Sequence, residues 1–288
     1  MLLPPLRYLR PETPEDAVAM LSDVDGSVVL AGGQTLMNML KLDLAHPDAL
    51  VDVHRIDALR GIEHDADGTL VVGAATTYAE LARSPEVRRS HPAVAEMAAG
   101  LVDRQVRNRG TIGGNCCLND PTSNYPPLMV ALDARFRVLG RDGERRLPAS
   151  EFFRGTLATA VGRGELLTTI EIPPMPQGSG VAHEHLQVGA DSWAIARAVV
   201  RLDVADGVVA DARAVLGAVY GSPLRLPEVE RRLIGQRATP DLAEAADALQ
   251  DVDVQTADDV HCSAAYRREM AEVQLRRAIR AAVERSVQ

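Results

Sequence analysis

Short apolar runs alternate with polar stretches along the N-terminal part of the chain and predict a mixture of strands and helices. The runs at residues 27–31, 50–53 and 69–74 are short and aliphatic, as in buried strands. Thr-Pro-Glu-Asp at residues 13–16 is typical of a helix start, with threonine as the cap and proline in the first turn. Thr-Tyr-Ala-Glu at residues 77–80 has the spacing of a capping box before another helix. This order of elements favours an α+β fold.

The middle of the chain continues the same alternation. Apolar residues at helical spacing predict short helices that begin near Leu36, Pro92 and Pro126. Residues 136–147 predict a hairpin around an Arg-Asp-Gly-Glu turn, and the β-branched run 165–172 predicts a strand.

A cluster of proline, glycine and serine at residues 173–180 predicts a domain boundary. Beyond it, two long apolar runs joined by Ala-Asp-Gly at residues 205–207 predict a second hairpin. Three helices are then expected at residues 227–234, 240–249 and 263–285.

Two glycine pairs are the strongest candidates for chemistry. The first glycine segment, residues 31–36, reads Ala-Gly-Gly-Gln-Thr-Leu, and the second glycine segment, residues 108–115, reads Asn-Arg-Gly-Thr-Ile-Gly-Gly-Asn. Glycines let backbone amides approach an anion without obstruction, so both segments are interpreted as loops that hold a phosphate-bearing cofactor. The alternative, a tight turn or close packing of strand on helix, stays open. Neither segment has the Lys-Ser/Thr of a P-loop, and the first lacks the later glycines of a Rossmann fingerprint.

Composition narrows the class of protein. The chain has 288 residues, 46% of them hydrophobic and 25% charged, which is typical of a globular protein. A net charge of -9 argues against general binding to nucleic acid. The N-terminus does not have the pattern of a secretory signal, and no window is apolar enough to cross a bilayer. Cys116, Cys117 and Cys262 do not have the spacing of a zinc or iron-sulfur site, so we predict reduced thiols, no metal site and a cytoplasmic location.

Two further features leave alternatives open. His183 and His185 lie two apart on a predicted strand and therefore on one face, where a structural or surface role is favoured over metal binding. Trp193, the single tryptophan, is interpreted either as core or interface or as a residue that stacks on a cofactor ring.

Several motifs together resemble the FAD-binding medium subunit of the molybdenum hydroxylases, the family of xanthine dehydrogenase and aerobic carbon monoxide dehydrogenase. The resemblance covers nearly the whole chain in order. The motifs that carry it are residues 31–36 with Met39 and Lys41, 50–53, 72–77, 105–115, 151–153, 170–173 and 264–268.

The resemblance implies a two-subdomain FAD-binding fold of the vanillyl-alcohol-oxidase (PCMH) type, followed by a C-terminal α+β domain of antiparallel sheet and helices. The implied domains are residues 1–56, 57–177 and 178–288. It also implies an FAD site made of Ala31, Gly32, Gly33, Gln34, Thr35, Leu36, Thr111, Ile112, Gly113, Gly114, Asn115, Asp120, Asn124, Leu167, His185 and Trp193. At Asn124, His185 and Trp193 the chain departs from the residues common in the family.

The implied function is electron transfer in a heterotrimeric complex, without a catalytic side chain in this chain. A large subunit would oxidise the substrate at molybdopterin, and a small subunit would pass electrons through two 2Fe-2S clusters to FAD on this chain. An external acceptor would then take them, and a dimer of heterotrimers is expected. Two alternatives stay open: a self-contained flavin-dependent reductase or oxidase of the same fold superfamily, and a phosphate-ligand sensor that is not an enzyme.

Overall fold

A computed structural model describes residues 3, 5–101, 103–189, 192–219 and 221–286. The α-helices are Pro14–Asp23 (α1), Leu36–Lys41 (α2), Tyr78–Arg83 (α3), Pro85–Ser90 (α4), Pro92–Ala99 (α5), Arg104–Arg109 (α6), Ile112–Leu118 (α7), Tyr125–Ala131 (α8), Ala149–Phe152 (α9), Pro227–Leu233 (α10) and Ala264–Ser286 (α11). The strands are Arg7–Leu9 (β1), Ser27–Leu30 (β2), Ala49–Asp52 (β3), Ile62–His64 (β4), Leu70–Gly73 (β5), Arg135–Gly140 (β6), Gly143–Pro148 (β7), Phe153–Gly155 (β8), Ala158–Thr159 (β9), Leu166–Ile172 (β10), Ser179–Gln187 (β11), Ala194–Ala205 (β12), Val208–Gly217 (β13) and Leu224–Arg225 (β14). Asp57–Leu59 and Pro240–Asp251 are 3-10 helices.

The chain folds into two compact units that are not continuous in sequence. Unit 1 contains Met1–Leu118, Arg135–Phe152 and Thr159–Ile172. Unit 2 contains Asn119–Ala134, Phe153–Ala158 and Pro173–Gln288. Asn119–Ala134 and Phe153–Ala158, which precede the predicted boundary, therefore belong to the same unit as the C-terminal residues. The division into three domains stays a prediction.

Unit 1 contains a parallel sheet and an antiparallel sheet. The parallel sheet has the order β1-β3-β2, and the antiparallel sheet has the order β4-β5-β10-β6-β7. Helix α1 begins where predicted, because the Thr13 side chain accepts a hydrogen bond from the Asp16 amide at 3.0 Å. Its buried face, with Ala17, Val18 and Leu21, belongs to the same apolar cluster as residues of both sheets.

Unit 2 is built on the antiparallel sheet β11-β12-β13-β14. One face of this sheet supplies Ala196, Ala198, Val200 and Leu202, which pack in an apolar cluster with α10, α11 and the second 3-10 helix. The opposite face carries His183, which lies opposite Val199 in the strand register. Alternation along these strands therefore separates an apolar face from a face that also carries polar side chains.

Most predicted elements are confirmed, including both hairpins and the capping box of Thr77 and Glu80. Several elements differ from the prediction. The second glycine segment is helical from Ile112 onward rather than a loop. Residues 240–251 form a 3-10 helix in place of the expected α-helix. Helices α4 and α6 were not predicted. In the described part of the chain no helix is both long and apolar enough to span a bilayer.

Candidate cofactor site

The first glycine segment is a turn between β2 and α2. Gly33 has a φ of 72°, a left-handed conformation that favours glycine. The carbonyl groups of this turn are used within the protein: Gly32 accepts from Gln34 Nε2 at 3.0 Å, and Gln34 accepts from Asn38 Nδ2 at 2.9 Å. Thr35 occupies the cap position of α2, but its side chain makes no capping hydrogen bond. Its hydroxyl is therefore not used at the helix end.

The amides of this turn behave differently from its carbonyls. Residues 32–35 lie in no helix or strand. Among the described residues, none of their four backbone amides donates a hydrogen bond to a backbone carbonyl. Buried or half-buried amides are normally paired. Consecutive unpaired amides create a concave group of positive partial charges, which is suited to an anion.

The second glycine segment uses its amides for its own structure. Ile112 donates to Thr76 O at 3.1 Å, Gly113 to Ala74 O at 3.0 Å and Asn115 to Thr111 O at 3.1 Å. The Gly114 amide donates to Thr111 Oγ1, also at 3.1 Å. The expectation of a second amide nest is therefore wrong, because each of these N–H groups already has a protein acceptor. The segment can still offer the Thr111 hydroxyl proton and the side-chain carboxamide of Asn115.

The two glycine segments are in backbone contact within unit 1. A Cβ atom on Gly32 would lie 2.2 Å from Arg109 O and 2.8 Å from Gly110 Cα. A side chain at residue 32 would therefore clash with main-chain atoms that cannot rotate away. Gly32 thus fits the alternative interpretation of close packing, because the absence of a side chain lets its backbone approach that of Arg109 and Gly110.

A support segment, residues 74–78, holds the second glycine segment in place. Besides accepting from Ile112 and Gly113, it donates from the Tyr78 amide to Gly110 O at 3.0 Å. A capping box fixes the end of the support segment, with the Thr77 amide donating to Glu80 Oε2 at 2.7 Å. The support segment therefore aligns residues 110–113 by main-chain hydrogen bonds.

A cavity of about 450 Å³ lies in unit 1 beside both glycine segments. This volume is in the range of small-molecule sites, ~300 to 1,000 Å³. Its walls are largely aliphatic and include Val28, Leu36, Val161 and Leu167. No arginine, lysine or histidine is among the described residues that line it. An anion in this cavity would therefore be bound by N–H and O–H groups rather than by a cationic side chain.

Three titratable side chains line the cavity, and each is held in one protonation state near neutral pH. Hydrogen bonds from Arg145, at 2.9 and 2.7 Å, lower the pKa of Glu165 and keep it ionised. Burial raises the pKa of Cys117 to about 12, so its thiol is neutral. Burial also raises the pKa of Tyr78 well above its ordinary value, although a hydrogen bond with Asn115 opposes this.

The structure brings most of the predicted site residues together at this cavity. Those that line it are Ala31, Gly32, Gly33, Gln34, Thr35, Leu36, Thr111, Gly113, Gly114, Asn115 and Leu167. Ile112 does not line the cavity, because its side chain is completely buried. Asp120, Asn124, His185 and Trp193 belong to unit 2.

Asp120 and Asn124 have structural partners inside unit 2. Asp120 accepts hydrogen bonds from the Thr122 amide at 2.8 Å and the Thr122 hydroxyl at 2.5 Å. Asn124 Oδ1 accepts from the buried guanidinium of Arg197. Both polar side chains thus organise the chain around α8.

The remaining two predicted residues lie on and beside the C-terminal sheet. His185 is on β11, and burial together with Arg197 lowers its pKa, which favours the neutral imidazole. Trp193 precedes β12 and is 56% exposed, so the alternative that it is core is wrong.

His183 shares a face with His185, as predicted, but its environment is unusual. Neither ring nitrogen of His183 has a hydrogen-bond partner, and burial next to Arg197 lowers its pKa to about 3. Within the described ranges, no group of three or more His, Cys, Asp and Glu side chains is arranged to hold a metal ion.

Sequence reasoning missed several residues of the cavity, above all Tyr78, Cys117 and Glu165. Tyr78 directly follows Thr77, the first residue of the predicted capping box. This position was the signal in the sequence that could have pointed to Tyr78. Glu165 reaches the cavity through a long-range pair with Arg145, for which the sequence has no local sign.

Two family descriptions match the sequence over nearly its full length. Residues 4–175 match "FAD binding domain in molybdopterin dehydrogenase". Residues 182–282 match "CO dehydrogenase flavoprotein C-terminal domain".

Individual proteins agree with these matches. The chain is 36% identical to the carbon monoxide dehydrogenase medium chain of Hydrogenophaga pseudoflava, over 98% of each chain. It is 31% identical to the nicotine 6-hydroxylase medium subunit of Paenarthrobacter nicotinovorans, over 97% of this chain and 98% of that one. A solved structure of carbon monoxide dehydrogenase from H. pseudoflava superposes with a TM-score of 0.95, 36% identity and 99% coverage of both chains.

The cavity fits the cofactor that these matches indicate. Unpaired amides at residues 32–35 suit a diphosphate, and aliphatic walls suit the remaining apolar surface. The predicted PCMH-type fold with its C-terminal α+β part is confirmed. The chain therefore belongs to the family of FAD-binding subunits of molybdopterin-containing dehydrogenases, and it is the FAD-dependent component of an oxidoreductase.

Proposed function

We propose that this chain is the electron-transfer subunit of a heterotrimeric molybdenum hydroxylase. A large subunit would oxidise the substrate at its molybdopterin centre, and a small subunit would relay electrons through two 2Fe-2S clusters. An external acceptor such as oxygen, a quinone or a nicotinamide would receive the electrons from this chain. The relatives support a multi-subunit assembly, since their names describe medium chains or subunits. A dimer of heterotrimers in the cytoplasm is part of the same proposal.

The unpaired amides at residues 32–35 are the observation that carries this proposal. Four successive N–H groups without a backbone acceptor, at the wall of a cavity lined by no cationic side chain among the described residues, are suited to an anionic partner. The diphosphate of FAD is such a partner. Thr35 and Thr111 add hydroxyl groups at the same wall.

The other residues of the cavity orient and enclose the cofactor. When bound, FAD supplies the redox chemistry, and the protein contributes binding, orientation and electrostatics. Leu36, Leu167 and their aliphatic neighbours exclude water from one wall. Glu165, Cys117 and Tyr78 hold fixed protonation states, and no lining side chain is poised as a general acid or base near pH 7.

The four predicted residues of unit 2 remain part of the proposed site. We assign Asp120, Asn124, His185 and Trp193 to the cofactor from the family resemblance. The exposed side chains of His185 and Trp193 each leave part of a ring open to a ligand. The division into domains 1–56, 57–177 and 178–288 is likewise proposed.

Reconstitution tests the function directly. The chain is purified alone, loaded with FAD and examined by visible spectroscopy, and then mixed with its large and small partner subunits. We expect stoichiometric flavin in the isolated chain, no iron, and bleaching of the flavin by substrate only when both partners are present. A chain that never binds flavin would contradict the family function. Bleaching by a substrate or a reduced nicotinamide without partners would instead support a self-contained enzyme.

A further inference from the structure

Glu165 is the only side chain with a formal charge among the described residues that line the cavity. Hydrogen bonds from Arg145 lower its pKa, so the carboxylate is ionised near neutral pH. A carboxylate repels the phosphates of a dinucleotide, and this repulsion is screened less in a partly buried site than in open solvent. The cavity proposed to hold a diphosphate therefore has a charge of the wrong sign in its wall.

Arg145 pairs with this carboxylate through both of its oxygens. From its position on β7, it donates from Nε to Glu165 Oε1 at 2.9 Å and from Nη2 to Glu165 Oε2 at 2.7 Å. Such a pair of parallel hydrogen bonds is among the strongest and most directional contacts between arginine and a carboxylate. Arg145 itself does not line the cavity. The guanidinium therefore neutralises the carboxylate from outside the cavity wall.

The same pair fixes the turn before β10. Arg145 Nη2 also donates to Ala160 O at 2.5 Å, and the Gly162 amide donates to Glu165 Oε2 at 2.6 Å. A Cβ atom on Gly162 would lie 3.0 Å from that oxygen, so the turn passes close to the carboxylate. Three hydrogen bonds thus hold the Glu165 carboxylate in one position, and two of them come from a cation.

We propose that Arg145 is a positioning residue for FAD that acts through Glu165. It holds the Glu165 carboxylate in the cavity wall and cancels its charge, so that the anionic cofactor meets a wall without net charge. Loss of Arg145 leaves the carboxylate without its counter-ion in the cavity of the diphosphate, and FAD then binds more weakly. This inference rests on the proposed function, because it requires a diphosphate in this cavity.

A purely structural role of the pair makes a different prediction. In that case Arg145 matters because it connects β7 to the turn before β10, and the loss of either partner loosens the cavity wall. Glu165→Gln separates the two roles, since it removes the charge and leaves an oxygen that accepts from the Gly162 amide. Charge compensation predicts that Glu165→Gln reverses the effect of losing Arg145, whereas a structural connection predicts that it does not.

The test compares Arg145→Gln, Glu165→Gln and the double variant with the wild type at about pH 8, where an ordinary carboxyl group is ionised. Arg146→Gln is the matched control. Arg146 is the next residue of β7 and donates at 2.9 Å to Glu171, which lies on β10 outside the cavity. The FAD Kd of the full chain is measured by fluorescence titration at low and high ionic strength, with urea unfolding of each apo variant in parallel.

We expect Arg145→Gln to raise the FAD Kd about tenfold at low ionic strength, the effect of one uncompensated charge, and by less at high ionic strength. Glu165→Gln and the double variant should bind FAD within about threefold of the wild type. Arg146→Gln should leave the Kd unchanged.

An unchanged Kd in Arg145→Gln, or a double variant as weak as Arg145→Gln, would overturn the inference while wild-type binding preserves the proposed function. Glu165→Gln tests the inference even if Arg145→Gln does not fold. Binding about tenfold weaker in Glu165→Gln would show that the carboxylate itself contributes to binding, which contradicts a charge that must be cancelled. A wild-type chain that does not bind FAD would overturn both the inference and the proposed function.

Discussion

The two glycine segments each contain a Gly-Gly pair and a threonine but have opposite backbone roles. In the first, the carbonyls of Gly32 and Gln34 are bound by side chains, and the amides of residues 32–35 have no backbone acceptor. In the second, the amides of residues 112–115 are all bound within the protein. The first segment can therefore bind an anion with its main chain, and the second shapes the adjoining part of the cavity wall.

The difference has a local cause. Gly33 takes a left-handed φ of 72°, which turns the chain sharply after β2. Thr111 instead accepts from the Gly114 amide in the manner of a helix cap, so the following glycines enter α7. A Gly-Gly pair thus does not define a function by itself. Which amides remain unpaired decides whether the segment can hold an anion.

The largest effect is expected from Gly32→Ala, which tests the contact between the segments. The new Cβ would meet Arg109 O at 2.2 Å, and backbone on both sides prevents relaxation. We expect the free energy of unfolding to fall by ~3 kcal/mol, the upper part of the range for overpacking, and FAD retention to be lost. Urea unfolding and flavin occupancy measure the two effects.

Gly100→Ala is the control for this prediction. A Cβ there meets Glu96 O at 3.5 Å, an ordinary contact, and its φ is negative. Its unfolding free energy should change by less than ~0.5 kcal/mol, as for neutral surface positions. If Gly32→Ala is as stable as Gly100→Ala, the two segments are not packed as described.

Gly113→Ala should have an intermediate effect. Its Cβ would lie 2.5 Å from Ala74 O, which pushes α7 away from the support segment. Replacement of a helical glycine by alanine offsets part of this cost, by ~1 kcal/mol. We therefore expect a net loss of ~1 to 2 kcal/mol in unfolding free energy, smaller than for Gly32→Ala. Equal or greater stability than the wild type, measured by urea unfolding, would contradict packing as the role of Gly113.

Gly114→Ala should separate stability from binding. Gly114 lines the cavity, and outside its own helix backbone a Cβ there meets only Thr111 Oγ1 within 4 Å, at 2.9 Å. Helix propensity favours alanine, so thermal stability of the apo chain should be kept or raised. The methyl group occupies cofactor space, and we expect the FAD Kd to rise roughly tenfold, or ~1.4 kcal/mol. An unchanged Kd would place the cofactor away from Gly114.

These glycines show how far the sequence could predict the site. The pattern of apolar runs and caps located β2, α1 and the capping box of Thr77, because those signals lie within a few residues of one another. The family resemblance located most of the cavity wall. No local pattern showed that the Ile112 and Gly113 amides would be paired with the support segment, because their acceptors, Thr76 O and Ala74 O, lie 36 and 39 residues earlier.

Local sequence patterns also could not predict which residues belong to which unit. Asn119 joins unit 2 through side-chain hydrogen bonds to Gly155 O at 2.7 Å and Ala158 O at 3.0 Å. These bonds connect positions far apart in sequence, and hydrophobic periodicity carries no information about them. The predicted boundary at residues 173–180 therefore marks the last crossing between the units rather than the only one.

Thr111→Ala should affect FAD binding less than Gly32→Ala or Gly114→Ala. Its hydroxyl oxygen accepts from the Gly114 amide, so its loss removes a helix cap worth ~1 kcal/mol of unfolding free energy. The freed Gly114 amide can then donate to the cofactor, and this compensates for the missing hydroxyl. We expect the FAD Kd to change less than about fivefold, with Thr111→Ser like the wild type. A Kd raised a hundredfold by titration would show that Thr111 is a principal anchor of the diphosphate.

The smallest effect is expected from pH, and it distinguishes main-chain binding from side-chain binding. Glu165 has its pKa lowered and stays ionised, Cys117 has a pKa of about 12, and Tyr78 has its pKa raised, so no lining group changes charge between about pH 6 and pH 9. Amides do not titrate in this range. The FAD Kd, measured by fluorescence titration at constant ionic strength, should therefore be constant across this pH range.

His185 has a lowered pKa, so a contact from its cationic form would appear as tighter binding only as the pH falls below the ordinary histidine pKa of about 6.5. Such a rise in affinity, lost in His185→Gln, would show that His185 contacts the cofactor.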